Sequence, residues 1–177
     1  MEKQSIRNEI YERVVQLSPD DREEALSAIL SQLNQLLIEY QPTHIGIFLP
    51  LADEPDLRER YQSLRHSGKQ LYLPSVDAQG APCFIAYTMH TKCIKQGERW
   101  RPQDDEPLLT DDLDLLIVPG RAFTLSGARL GRGSGWYDRW LAEHPNVVTV
   151  GVWFACQIVD DLPTESHDVI LDEVVTG

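Results

Sequence analysis

Four consecutive apolar residues, Leu115-Leu116-Ile117-Val118, follow a stretch of acids and are closed by Pro119-Gly120. A strand with one buried face alternates apolar and polar residues. A run that is apolar at every position is buried on both faces, as a central strand of a parallel sheet is. The chain then reads Arg129-Leu130-Gly131-Arg132-Gly133-Ser134-Gly135-Trp136-Tyr137-Asp138 and continues in a helical pattern through Trp140 and Leu141. Alternating glycines permit positive φ and close approach of a ligand to the main chain. A helix start just beyond them offers unpaired N–H groups and the positive end of a dipole. On these grounds the segment is either a phosphate cradle or a plain glycine-rich turn between strand and helix. It lacks the Gly-Lys-Ser/Thr of a Walker loop, and its glycines do not stand right after a strand as in the dinucleotide fingerprint. Charge favours the cradle. Between Pro119 and Arg139 lie Arg121, Arg129, Arg132 and Arg139 with Asp138 as the one acid, in a chain whose formal charge is -12.

That net charge argues against general nucleic-acid or anionic-membrane binding but not against a small anion in a local basic pocket. At 177 residues the chain suits one domain spanning 1–177 with a full core. The polar start and the lack of a long apolar run point away from a signal peptide or membrane span. Cys83, Cys93 and Cys156, odd in number and without C-x-x-C spacing, fit a reducing cytoplasm.

Read in order, Ile6, Ile10, Val14 and Leu17 form the stripe of a first helix, and Ser18-Pro19-Asp20-Asp21 starts a second that runs to Pro42. Strands are expected over His44–Leu49, Gln70–Leu73, Cys83–Thr88, Leu115–Val118 and Asn146–Phe154, with a helix over Asp56–His66. The stretch from His90 to Thr110 reads as a long loop with room for a short element, and Pro163–Asp172 as mostly extended loop. Alternation of strands and helices makes the fold class α/β, a mostly parallel sheet covered on both faces. Ligands in such sheets bind beyond the carboxyl ends of the strands, so the loops after Leu49, Val118 and Phe154 are expected at one mouth.

Other candidate residues are ambiguous by pattern alone. Asp53-Glu54 reads as a solvated acidic turn or as an acceptor for a heterocycle. Lys3 and Arg7 share a helix face and read as solvated cations or a phosphate clamp. Asp168, Asp172 and Glu173 form an acidic tail that faces solvent or completes a magnesium site with Asp138. The histidines show no metal-ligand spacing, and Ser134 is not in a G-x-S-x-G elbow.

Taken together, these pieces resemble the 5-formyltetrahydrofolate cyclo-ligase family. The carrier is VPGRAFTLSGARLGRGSGWYDRWL, Val118 to Leu141, similar to that family's strand, loop and R-L-G-x-G-x-G-Y-Y-D. Lys3 to Arg7 resembles its K-x-x-x-R, Phe48 to Glu54 its F-L-x-x-x-x-E, and Phe154 to Gln157 with Leu162-Pro163 and Asp168 to Thr176 its C-terminal pieces. The resemblance implies a three-layer Rossmann-like domain and ATP-dependent cyclisation of 5-formyltetrahydrofolate to 5,10-methenyltetrahydrofolate, releasing ADP and phosphate. It implies ATP held by Lys3, Arg7, Arg129, Leu130, Gly131, Arg132, Gly133, Ser134, Gly135, Trp136 and Tyr137, with Arg132 and Tyr137 catalytic. It also implies magnesium (Mg2+) at Asp138 and Asp168, and folate at Leu49 and Glu54. The partners would be these small molecules, not nucleic acid or membrane, and the oligomeric state is left open, with a monomer compatible. On that footing Arg132→Ala should lose most turnover and leave the fold intact.

Two residues depart from the pattern. Trp136 stands in place of a Tyr, and Arg121 stands where a small or apolar residue is expected. The segment around Trp100-Arg101-Pro102 matches poorly and receives no role. A non-catalytic ligand-binding relative and an α/β enzyme acting on sugar phosphates are the competing readings.

Overall fold

The computed structural model describes residues 2–96, 99–103, 109–110, 112–165 and 168–177. Helix α1, Lys3–Val15, buries Ile6, Ile10 and Val14, the expected stripe. Helix α2, Pro19–Tyr40, starts as its sequence dictates. The Ser18 hydroxyl accepts from Asp21 N–H at 3.1 Å, and the Asp21 carboxylate accepts from Ser18 N–H at 3.2 Å. Gln41, at φ 47°, turns the chain out of the helix before Pro42.

Seven strands form the main sheet: β1 His44–Gly46, β2 Gln70–Val76, β3 Pro82–Ala86, β6 Leu109–Thr110, β7 Leu115–Val118, β10 Val148–Trp153 and β11 Glu173–Thr176. Between them fall α3 Arg58–His66, β4 Lys92–Gln96, β5 Arg99–Gln103, β8 Ala122–Phe123, β9 Arg129–Leu130, α4 Trp136–Glu143 and a 3-10 turn, Ala155–Gln157. The strand order is β11-β10-β7-β1-β2-β3-β6, parallel from β11 to β2, with β3 and β6 added antiparallel.

β7 is central and wholly buried. Leu115 and Ile117 face a core layer with α1, α2 and α3, while Leu116 and Val118 face Trp140 and Leu141 of α4, together with Phe123 and Trp153. Helices thus cover both faces, which is the three-layer architecture expected, and no helix among the described residues is long and apolar enough to cross a membrane.

Three local expectations are corrected. β2 does not stop before Pro74 but continues to Val76, paired with β3. Tyr72 points its carbonyl at Ile47 N–H (2.8 Å), and Pro74, two residues on, aims its missing donor the same way, where β1 has already ended. The expected loop from His90 to Thr110 holds the β4–β5 hairpin and β6, with residues 97–98 and 104–108 outside the described set. Lys92, Ile94, Lys95 and Trp100 are exposed, so the hairpin shows backbone pairing without a long apolar alternation by which strands are read. The C-terminal acids are not simply solvated. Asp172 accepts from the Thr149 N–H (2.8 Å) and hydroxyl (2.7 Å), Glu173 accepts from Tyr40 OH (2.8 Å), and β11 begins there.

Candidate active site

The carboxyl ends of β1, β2 and β7 open on one cleft. Leu49, Leu51 and Glu54 come from the loop after β1, Ser75 and Val76 from β2, and Pro119 and Gly120 from the end of β7. The glycine loop and the start of α4 close the far wall. The loop after β10 joins from below. Buried Gln157 donates to the carbonyls of Gly120 (3.2 Å) and Arg121 (3.0 Å) and accepts from Phe154 N–H (3.0 Å). The three loops expected at one mouth therefore do converge.

The short β8–β9 ribbon delivers the glycine loop, with Arg121 N–H bonded to Leu130 O at 2.8 Å. Leu130 contributes backbone only, since its side chain is in the core. Gly133 (φ 100°) and Gly135 (φ 61°) hold the left-handed conformation that the glycines were expected to supply, and Gly135 caps α4. Gly131 leaves room for a different reason. A Cβ there would stand 2.8 Å from Arg129 Nη1. Ser134 is exposed, and its carbonyl accepts from Arg139 Nη1 at 2.7 Å.

Residues assigned to different ligands are bound to one another. Arg129 is buried and its Nη2 donates to Asp138 Oδ1 at 2.7 Å. Arg132 reaches back 78 residues to Glu54, through Nε at 3.0 Å and Nη2 at 2.8 Å, and touches Asp53 Oδ1 at 2.7 Å. Arg121 pairs with the other oxygen of Asp53. Asp53 and Glu54 are 6% and 7% exposed, so the solvated acidic turn is corrected to a buried ion cluster. The reason is tertiary: two cations from the β7–α4 connection, Arg121 and Arg132, meet this turn and compensate carboxylates that water would otherwise hold.

Arg7 binds the loop directly, its Nε donating to Gly131 O at 2.9 Å. Lys3, one helical turn earlier on the same face, donates to Glu165 (2.7 Å) and Asp168 (3.2 Å), and Asp168 also accepts from Glu165 N–H at 2.8 Å. Helix α1 therefore carries one cation to the glycine loop, through Arg7, and another to Asp168, through Lys3. Tyr137 and Trp136 line the cleft edge to face at 4.9 Å, with Arg129 5.6 Å from the Tyr137 ring. Trp136 commits its indole N–H to Ser75 O (2.8 Å) and sets its edge on Phe84.

Trp100 and Pro102 of the β4–β5 hairpin also line the cleft, although the sequence reading gave that segment no role. Gln157 was likewise given no role, whereas Asp53 was weighed with Glu54 as a turn or a heterocycle acceptor and Arg121 as a departure near the anion. The adjacency of Asp53 to Glu54 and the out-of-pattern charge at position 121 were the available signals.

Among the described residues no three His, Cys, Asp or Glu side chains gather into a metal cage. Asp138 on the cleft wall and Asp168 beside Lys3 nevertheless offer hard oxygen donors. One or two carboxylates are the usual protein share for magnesium, whose remaining positions go to phosphate and water. The donor set therefore fits that ion.

Burial pushes the Glu54 carboxyl above the usual carboxylate range, with Arg132 and the Leu51 N–H opposing and Asp53 adding to the rise. Lys3 moves up from its ordinary value because Glu165 and then Asp168 stabilise its charge. The raised Glu54 value has a definite sign in stability. Its contribution is fully present below the unfolded carboxylate range and is lost as pH rises through the folded value. Glu54→Gln is therefore expected to gain stability relative to wild type as pH climbs from that range towards neutrality. Denaturant midpoints for both proteins across that window check it, and a pH-independent difference would refute it.

Fold and site define a three-layer α/β protein with a cleft beyond its strand ends, lined by cations, carboxylates and a glycine loop suited to an anion. The sequence matches the model of the 5-formyltetrahydrofolate cyclo-ligase family over residues 1–177, and the chain belongs to that family. It is 31% identical over 185 residues to 5-formyltetrahydrofolate cyclo-ligase of Haemophilus influenzae, covering 99% of this chain and 97% of that one. It is 29% identical over 188 residues to the enzyme of the same name from Mus musculus, covering 98% and 92%. The solution structure of Aquifex aeolicus 5,10-methenyltetrahydrofolate synthetase superposes with a TM-score of 0.84 at 27% identity, covering 99% of this chain and 90% of that one.

Proposed function

We propose that this protein is a ligase that cyclises 5-formyltetrahydrofolate to 5,10-methenyltetrahydrofolate at the expense of ATP, within cytoplasmic one-carbon folate metabolism. Cys83, Cys93 and Cys156 are not paired in disulfides, in keeping with a reducing compartment. The single observation that carries the reading is the convergence of Glu54, Arg132, Asp138 and the Gly131–Gly135 loop on one cleft in a chain of this family.

In this reading Lys3, Arg7 and residues 129–137 hold ATP, Leu49 and Glu54 hold the folate, and Asp138 with Asp168 would hold magnesium. Magnesium, when bound, offsets charge on the phosphates. The formyl oxygen attacks the γ-phosphorus, an O–P bond forms and ADP leaves. A second nitrogen of the substrate then adds to the activated formyl carbon and gives up its proton, the C–O bond breaks, and phosphate departs, with the proton passing to it or to solvent. The substrate supplies both nucleophiles, so the protein has to align the reactants and neutralise spreading charge. That suits a site of guanidinium groups, carboxylates and glycines. Arg132, facing the cleft beside the loop, supplies positive charge to the transferring phosphoryl group. Tyr137 flanks it. Glu54, on the cleft wall, offers a carboxylate acceptor to the heterocycle.

The test is a mixture of purified protein, magnesium ATP and 5-formyltetrahydrofolate, followed by the near-ultraviolet absorbance of the conjugated product. Product that requires both ATP and magnesium is expected. ATP binding with no product would leave a binding module, and turnover of sugar phosphates instead would overturn the reaction class.

A further inference from the structure

Asp53 stands between two guanidinium groups. Its Oδ1 accepts from Arg132 Nη2 at 2.7 Å and its Oδ2 accepts from Arg121 Nη1. Arg132 spans Asp53 and Glu54, so two buried carboxylates meet two largely buried cations, with 15% and 17% of the Arg121 and Arg132 side chains exposed. Arg121 is held from three sides. Its guanidinium lies 5.0 Å from the Tyr11 ring, its N–H binds Leu130 O, and its carbonyl accepts from Gln157. The expected small or apolar residue at 121 would leave two acids against Arg132 alone, a net negative charge beside the glycine loop.

We propose that Arg121 is a positioning residue that sets the cleft's affinity for its polyanionic nucleotide, by neutralising Asp53 and fixing the carboxylate against which Arg132 is oriented. This rests on reading the cleft as the ATP site. The claim is one of charge balance, so it separates from a merely structural role. Removing Arg121 should weaken anion binding, and removing the Asp53 charge as well should restore it. A surplus buried negative charge several ångströms from a triphosphate raises its dissociation constant by about tenfold at an effective dielectric near that of a protein surface.

The experiment compares wild type, R121L, D53N and R121L/D53N for kcat and for KM with magnesium ATP, alongside unfolding midpoints. R121L should raise KM about tenfold and change kcat by less than about threefold, with the KM effect shrinking as salt is added. The double variant should return KM to within about threefold of wild type. An unchanged KM in R121L, or a double variant no better than R121L, overturns the proposal. If R121L does not fold, R121K retains the charge but loses the planar fork, and a KM equal to wild type there overturns the orienting role. Absence of turnover in wild type would sink the proposed reaction rather than this inference. ATP dissociation constants measured by calorimetry on the same proteins then decide Arg121 by the same criteria.

Discussion

Replacing Arg132 with alanine is expected to lower kcat/KM by more than about a hundredfold, the scale on which loss of one preorganised charge donor is felt at a transition state. The same variant is expected to keep its fold but lose stability. Arg132 is the shared partner of Asp53 and Glu54, both buried. Deleting one member of such a cluster strands the others without compensation. After allowance for the exposed part of the side chain, about 2–3 kcal/mol is expected. Loss of Arg132 also removes the influence that opposes the upward shift of Glu54. The deficit should therefore widen as pH rises from the carboxylate range. Arg132→Lys separates the two effects. It keeps a charge near the acids but cannot span them with a planar fork, so stability should return in part while activity does not. Equilibrium denaturation and steady-state kinetics on the two variants decide the matter. Wild-type kcat/KM in the alanine variant would remove Arg132 from the mechanism, and wild-type stability would show that the cluster counts for little.

Asp138→Ala should be nearly as severe. Asp138 faces the cleft from the first turn of α4 and accepts from Arg129, whose side chain is only 3% exposed. Among the described residues the Nε of Arg129 has no partner, so Asp138 is the main compensation for this guanidinium. Removing the carboxylate leaves a buried guanidinium with too few acceptors and should cost about 3 kcal/mol. It also removes a proposed magnesium donor, with a loss of turnover of roughly a hundredfold or more. Asp138→Asn is the discriminating variant. An amide oxygen still accepts from Arg129, so the protein should fold, but the negative charge is gone. Reduced turnover together with a raised magnesium requirement is expected from the asparagine variant. Wild-type turnover and an unaltered magnesium response would refute the metal role while leaving the structural pair standing.

Some elements were legible because their cause is local. Ser18, Pro19 and Asp21 form their capping box from side chains within one turn. The unbroken Leu115–Val118 run announced burial on both faces, and β7 is the central strand. Gly133 and Gly135 adopt positive φ where alternating glycines implied it. Other elements were not legible because their cause is remote. Pro74 looked like a strand terminator, yet its missing donor faces a gap left by a shorter neighbour. The β4–β5 hairpin joins two short, mostly polar strands, and the alternation of Trp100 and Pro102 with charged neighbours is too brief to announce a cleft wall. Asp53 and Glu54 carry the composition of a surface turn and are buried all the same.

The chain's own order of residues was enough to determine an α/β layering, the strand that anchors it, the caps of its long helix and the glycine loop that opens its cleft. Each follows from periodicity or backbone freedom acting over a few neighbours. Which charges meet was decided only in three dimensions. Arg132 finds Glu54 across 78 residues, Arg7 finds Gly131 across 124, and Lys3 finds Asp168 across 165. An ion pair gains its strength when two groups leave water at the same place. That place is set by the order in which strands are laid into the sheet, and nothing in either partner's local sequence records it.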